Sequence, residues 1–289
     1  MFRKLLKYDL NAIVRLWWIG AVISVAAAVA GALLLRFSMQ AFDREIASVF
    51  VKLLAIVGLI AGIACLFAVV FSFVFTVILI FVRFYKHFFT DEGYLTFTLP
   101  VKRSTLFLSK TVNALIWFSA HFCVILISFL LFSMLVVSPS EGDLFLNFFV
   151  LKAIGKLLGS EWGVFGAWMI VYILEALALL LVYAFFTISL VHFCITFGAV
   201  VAKKAKVILA IVMYYLINSA ITTVSQFVIL IFGTMMWEGM TILTQNASMG
   251  RMCGIYALLI MVLIGMLSVL GTALYSATQF MIDRKLNLA

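Results

Sequence analysis

The sequence predicts an all-α integral membrane protein with six transmembrane helices. Two observations predict this fold class: the composition of the chain and the continuity of its apolar runs. Of the 289 residues, 67% are hydrophobic and 11% are charged, against about 45–50% and about 25% in soluble domains. A soluble fold cannot bury so many apolar side chains, whereas a helix that crosses a bilayer needs about 20 in succession. Continuous runs also exclude a β-barrel, whose strands alternate over about ten residues.

Clusters of charge divide the chain, taken as a single transmembrane domain, into six apolar segments that we predict to be the spans. They cover residues 16–35, 53–82, 111–137, 164–201, 207–235 and 253–281. The fourth segment would measure about 57 Å as one straight helix, so it must tilt, bend or project from a hydrocarbon core of about 30 Å. Two separate spans are the alternative, but the number of crossings would then be odd.

The distribution of Lys and Arg predicts the orientation. Fourteen of these residues fall in one alternate set of connecting segments and six in the other. By the positive-inside rule, the N terminus, segment 83–110, turn 202–206 and the C terminus are cytoplasmic. The net charge of +9 is interpreted as a signal for orientation and anionic lipid, with no nucleic-acid partner.

Residues 1–15 are predicted to form an amphipathic helix in the cytoplasmic interface, with Arg3, Lys4 and Lys7 toward the lipid headgroups. The alternative is a cytoplasmic extension of the first span that carries orienting charge. Trp17 and Trp18 follow at the depth of an aromatic belt.

The segment between the second and third spans, residues 83–110, is unusually structured for a connector. It reads RFYKHFFTDEGYLTFTLPVKRSTLFLSK and combines six aromatic residues before Pro100 with charges and an Asp91-Glu92-Gly93 turn. Such a segment suits a short helix that docks in a groove of another protein. An interfacial loop with its aromatics at headgroup level is the other interpretation.

Two stretches carry a resemblance to a known family. The string DEGYLTFTLPV, from Asp91 to Val101, precedes a Ser-containing, Lys-ending stretch from Ser104 to Lys110 that leads into the third span, and the chain opens with MFRKLLKYDL. In these stretches, and in its overall layout, the chain resembles the permease subunits of bacterial ABC transporters of the type-two exporter class.

The resemblance implies a permease subunit of a bacterial plasma membrane. It pairs with a second permease, identical or related, and with two cytoplasmic ATPase subunits. ATP and Mg would be bound by those subunits, because this chain has no GxxxxGK[ST] phosphate loop. We therefore expect no catalytic residue, metal site or bound cofactor here, but ATP-driven export of an amphipathic peptide, lipid-like molecule or drug, as in antimicrobial peptide resistance. The implied coupling residues are Arg83, Tyr85, Lys86, Phe88, Phe89, Asp91, Glu92, Gly93 and Tyr94.

Polar residues inside the predicted spans are candidates for a substrate path. Glu175 lies within the fourth span, where a charged carboxylate costs about 2.5 kcal/mol or more unless it is paired, hydrated or protonated. Asn218, Thr222 and Ser225 share one face of the fifth span by their spacing. Glu175 could instead be a protonated, hydrogen-bonded packing residue near the outer leaflet. The face of the fifth span could instead line the seam of a dimer.

Two other functions remain open from the sequence. A membrane-embedded enzyme could use Glu175 with His121 or His192, although no triad-like or HExxH spacing occurs. A permease-like immunity or sensor subunit that moves no cargo would share every feature of the exporter.

Gly58 and Gly62 form a GxxxG step that predicts close packing of helices.

Overall fold

The computed structural model describes residues 2–44, 48–98, 100–136, 164–202, 205–244 and 249–284. Nearly all of these residues are helical, and none of them forms a strand. The helices are α1 (Phe2–Asp43), α2 (Val49–Phe89), α3 (Asp91–Phe97), α4 (Arg103–Val136), α5 (Val164–Val201), α6 (Lys206–Thr244) and α7 (Met249–Arg284). All but the seven-residue α3 are long and apolar enough to cross a membrane, so the described ranges confirm an all-helical chain with six helices that could be spans.

The helices extend well beyond the predicted spans. Helix α1 runs without a break for 42 residues, so the structure does not separate an interfacial helix from the first span. Helix α2 continues to Phe89 and α4 begins at Arg103. The predicted connector 83–110 is therefore helical at both ends.

The later segments follow the prediction in number, and the last two exceed it in length. The long fourth segment is one helix of 38 residues, as the count of six required. Helix α6 reaches Thr244 and α7 starts at Met249, so much of the segment between the fifth and sixth predicted spans is helical. The predicted outer segment 137–163 and Lys203 and Lys204 lie outside the described residues.

The chain forms two compact units. The first comprises Met1–Arg83 and Val112–Leu158, and the second comprises Phe84–Thr111 and Gly159–Ala289. Both carry many exposed apolar side chains, such as Phe71 at 73% and Tyr215 at 73% exposure. Exposed apolar surface of this extent suits a protein surrounded by lipid.

In the first unit, α1 and α2 touch backbone to backbone. A Cβ on Gly31 would lie 2.7 Å from the Cβ of Cys65 and 3.2 Å from the carbonyl oxygen of Gly62. A Cβ on Gly58 would lie 2.7 Å from the hydroxyl of Ser38 on α1. The GxxxG step is therefore a packing face within this chain, and the absence of side chains is what allows the approach.

In the second unit, α5 packs along α7. Phe186, Leu190 and Cys194 of α5 form a buried cluster with Leu267 of α7. A Cβ on Gly271 would come within 3.0 Å of the ring of Phe185, so a small residue on α7 accommodates a large one on α5. The candidate site contacts these two packed helices, α5 and α7.

Candidate functional site around helix α3

Helix α3 is folded back onto the end of α2 by a tight turn. The backbone N–H of Gly93 donates to the carbonyl oxygen of Thr90 at 2.8 Å. A Cβ at position 93 would lie 2.8 Å from the carbonyl oxygen of Phe88. Only glycine fits this approach, which explains why the Asp-Glu-Gly turn occurs where α2 ends.

The inner side of this turn is aromatic and closed to solvent. Phe88 is fully buried, with its ring centroid 5.0 Å from that of Phe84 and 5.5 Å from that of Phe97. Sequence reasoning placed Phe88 among the residues that meet a partner. In this structure its side chain supports the turn from within and presents no surface.

Among the described side chains, the outer side of α3 is polar except for one large apolar residue. Asp91 and Glu92 are exposed in the first turn, and Leu95 follows at 71% exposure. Residues three and four apart share a helix face, so Leu95 lies beside both carboxylates. Lys86 is also exposed, and the imidazole of His87 lies 3.8 Å from the Glu92 carboxylate.

Stacked rings join this segment to the long helices of the second unit. Phe84 stacks on His192 of α5 with ring centroids 3.9 Å apart. Phe107, in the first turns of α4, stacks on Tyr275 of α7 at 4.7 Å. The ends of α2 and α4 that flank α3 are thus packed against α5 and α7.

Arg103 makes the most direct link, and sequence reasoning missed it. Its Nη1 donates to the carbonyl oxygens of Ile282 and Asp283, at 3.2 Å each, and its guanidinium lies 5.4 Å from the centre of the Phe97 ring. The accepting carbonyls belong to the last turn of α7, where a cation is favoured by the helix dipole. Nothing in the sequence relates positions 179 and 180 residues apart.

The remaining predicted coupling residues differ in setting. Arg83 belongs to the first unit, where its Nη1 donates to the carbonyl oxygen of Ala12 on α1 at 3.2 Å. Tyr85 and Phe89 are half-buried with ring centroids 6.1 Å apart. Tyr94 lies in α3, but its side chain is outside the described residues.

Glu175 is 4% exposed, and neither carboxylate oxygen has a hydrogen-bond partner among the described residues. One turn earlier on α5, the hydroxyl of Tyr172 donates to the carbonyl oxygen of Cys253 on α7 at 2.9 Å. The carboxyl group therefore lies on a face of α5 that carries a contact with α7. A buried polar group without a partner costs about 1–3 kcal/mol.

The polar patch on α6 is largely exposed in the part of the chain that the structure describes. Asn218 and Thr222 are exposed and Ser225 is half-buried. The Ser225 hydroxyl donates to the carbonyl oxygen of Thr222 at 2.9 Å. In the described residues this patch is not hydrogen-bonded to Glu175, so the four candidates for a substrate path do not form one cluster.

The histidines do not combine with Glu175 into a catalytic pair that the structure describes. His192 is on the same helix, 17 positions later, which is about 25 Å along the axis. His121 belongs to the first unit, where Ser72 and Thr76 bond its two ring nitrogens. The described residues contain no group of three or more His, Cys, Asp or Glu side chains that could hold a metal ion.

No family model matches the chain, and searches of curated proteins and of solved structures find no similar protein.

Proposed function

We propose that this chain is the membrane-spanning permease subunit of an ATP-driven ABC exporter. It moves an amphipathic peptide, lipid-like molecule or drug out of the cell or the membrane. Two separate ATPase subunits bind ATP and Mg, and a second permease, identical or related, completes the assembly. Both termini lie in the cytoplasm of a bacterial cell.

The observation that carries the proposal is the two-sided construction around α3. Its outer side offers Asp91, Glu92 and Leu95, a combination of charge and one apolar anchor that suits docking into a groove. Its inner side is held to α7 through Phe97 and Arg103. A force applied to α3 by an ATPase would therefore reach a membrane-spanning helix through direct contacts.

Within this proposal, Glu175 and the face of Asn218, Thr222 and Ser225 belong to the substrate path. Glu175 supplies a buried carboxyl group with no partner in the described residues, which an amphipathic cargo with a donor group would satisfy. The α6 face is open to a second permease or to lipid.

The first experiment is purification of the tagged chain from its native membrane in mild detergent, followed by mass spectrometry of the bound proteins. We expect an ATPase subunit with a phosphate loop in about equal amount. Charge reversal of Asp91 and Glu92 to Lys should release this subunit. Asp43→Lys, which reverses an exposed carboxylate at the end of α1, is the control and should retain it.

A transport assay with the same variants separates an exporter from a sensor subunit. In an exporter, Asp91→Lys with Glu92→Lys abolishes ATP-dependent movement of cargo, while insertion into the membrane is unchanged. If the wild-type chain bound an ATPase but moved no amphipathic cargo under any condition, the sensor hypothesis would replace the exporter. A chain that purified alone, with nucleotide and lipid supplied, would contradict both.

A further inference from the structure

Helix α6 presents two faces of different character in the second unit. Met213, Ile217 and Ile221 on one face pack against the buried cluster of α5 and α7. Another face carries exposed polar side chains, among them Asn218 and Thr222. Apolar residues inside and polar residues outside are typical of a helix that meets water, whereas α6 is long and apolar enough to cross a membrane. A polar face at membrane depth requires a neighbour other than hydrocarbon.

The exposed face follows the spacing of a helix pair. Six residues, which we call the α6 seam, follow one another at alternating steps of three and four: Ile208, Ile211, Tyr215, Asn218, Thr222 and Ser225. Five of them are exposed and Ser225 is half-buried. In a left-handed helix pair a row with this spacing faces the partner helix along its length. The row extends about 27 Å, close to a hydrocarbon core of about 30 Å, so it fits a partner helix that crosses the same membrane.

Asn218 is the residue of the seam that lipid cannot satisfy. It lies near the middle of the stretch Lys206–Phe227 that could span a membrane. It is exposed, and its side-chain amide makes no hydrogen bond to another described residue. The Ser225 hydroxyl, by contrast, already donates to the carbonyl oxygen of Thr222 at 2.9 Å. The amide has two donors and an acceptor, and hydrocarbon offers a partner for none of them.

The chemistry of the seam indicates which helix covers it. The seam contains no Lys, Arg, Asp or Glu, so it does not require an oppositely charged partner. The amide of Asn218 and the hydroxyls of Tyr215 and Thr222 can each donate and accept, so the face is complementary to itself. Two copies with the same orientation can meet about a two-fold axis along the membrane normal, which places each seam residue beside its counterpart.

We propose that the α6 seam binds the α6 seam of a second copy of this chain, with the two Asn218 amides hydrogen-bonded across the interface. A buried Asn in such a row specifies the register of the two helices. As an identification of the second permease this rests on the proposed function, and the substrate path proposed for this face then runs along the contact between the copies. The contact itself requires only that α6 lies in a membrane.

The first test is disulfide cross-linking of the full chain in its native membrane after replacement of the four native cysteines. Ile211→Cys, Tyr215→Cys and Thr222→Cys should form covalent dimers on oxidation with copper phenanthroline, because a two-fold axis brings identical positions together. Leu216→Cys and Val224→Cys, at positions that are 56% and 60% exposed but off the seam, should form several-fold less dimer. Equal yields at all five positions, or no dimer at the seam positions, would overturn the proposal.

The second test measures the role of Asn218 with the native cysteines in place. Chains with a donor or an acceptor fluorophore at the C terminus are reconstituted at increasing lipid dilution, and energy transfer reports their association. Asn218→Leu should weaken association about three- to tenfold through the lost interhelical hydrogen bond. Asn218→Gln keeps an amide and should lose less.

A matched pair of threonines controls for the loss of a polar group. Thr222→Val, on the seam, should weaken association in the same direction as Asn218→Leu. Thr223→Val makes the same change at an exposed neighbour off the seam and should leave association unchanged. Equal association of the wild type and Asn218→Leu would overturn the role of the amide.

The outcomes separate the seam from the proposed function. Cross-linking through the seam in a complex that contains no ATPase would uphold the seam and contradict the exporter. An ATPase in the complex, with no cross-link at any seam position, would contradict the seam and leave the exporter standing. Cross-linking of the seam cysteines to a different membrane protein, identified by mass spectrometry, would overturn the second copy as the partner.

Discussion

Single residues decide how closely the helices of the first unit approach. The backbones of α1 and α2 are in direct contact at Gly31 and Gly62, and the side chain of Cys65 lies beside this contact. A side chain at Gly31 has nowhere to go, because the atom it would meet is the Cβ of Cys65 and not the movable end of a side chain. The cost of such overpacking is typically about 1–3 kcal/mol.

Gly31→Ala should therefore lower the free energy of unfolding in detergent by about 1–3 kcal/mol, despite the better helix propensity of alanine. Gly265→Ala is the matched control, since a Cβ there meets no atom within 4 Å. It should stabilise by up to about 1 kcal/mol through helix propensity alone. Thermal unfolding followed by size-exclusion chromatography compares the two, and equal effects would refute the close contact.

Glu175 poses the opposite case, a residue whose removal should help folding. Replacing its unpartnered carboxyl group by an apolar side chain in Glu175→Leu should raise the free energy of unfolding by about 1–3 kcal/mol. Glu175→Gln keeps a polar group and should gain less. If Glu175 lies on the substrate path, both variants lose transport. Destabilisation by Glu175→Leu would instead reveal a structural partner for the carboxyl group.

At the scale of elements, α3 is held on two sides. The turn before it contacts the end of α2, and Arg103, at the start of α4, joins Phe97 of α3 to α7. The Arg103 guanidinium is exposed and bonds two carbonyls at the end of α7 while it lies near the ring of Phe97. Planar geometry allows one guanidinium to serve both roles, which a lysine ammonium cannot reproduce.

Arg103→Ala should uncouple α3 from α7 at a modest cost in stability of about 1 kcal/mol, because the group is exposed. Hydrogen exchange of residues 90–98 and 278–284 should rise, with Arg103→Lys between the wild type and the alanine variant. Lys102→Ala, at the exposed neighbouring position, is the control. Unchanged exchange at the end of α7 in Arg103→Ala would show that the link carries no constraint.

The sequence predicts these elements and not their contacts. Apolar runs identify six spans because helix length and hydropathy are local properties. Helix ends are less well determined, since a segment with charged residues, such as 83–89 with Arg83 and Lys86, continues a helix outside the apolar run. The burial of Phe88 and the bonds of Arg103 depend on residues far away in sequence, and so does the placement of Ser72 and Thr76 around His121. No periodicity reveals them.

For the whole molecule, six helices long and apolar enough to span a membrane and the asymmetry of Lys and Arg determine the expected topology. Lys86, Lys102 and Lys206 belong to the fourteen residues on the predicted cytoplasmic side, and Arg44 to the six on the other. An even number of crossings also returns both termini to the same side.

Cysteine labelling with an impermeant maleimide tests this arrangement after replacement of the four native cysteines. Lys86→Cys, Lys102→Cys and Lys206→Cys should react only after the cells are opened. Arg44→Cys should react in intact cells and serves as the opposite-side control. Reaction of Lys102→Cys and Arg44→Cys from the same side would overturn the topology.

The length of α2 has a consequence for the membrane itself. Its 41 residues extend about 61 Å, and the apolar part between residues 53 and 82 alone covers about 45 Å, against a hydrocarbon core of about 30 Å. Such a positive hydrophobic mismatch is relieved by tilting the helix or by stretching the surrounding lipids. A bilayer of longer acyl chains reduces this strain, so the thickness of the host membrane becomes a variable that shifts the tilt of α2.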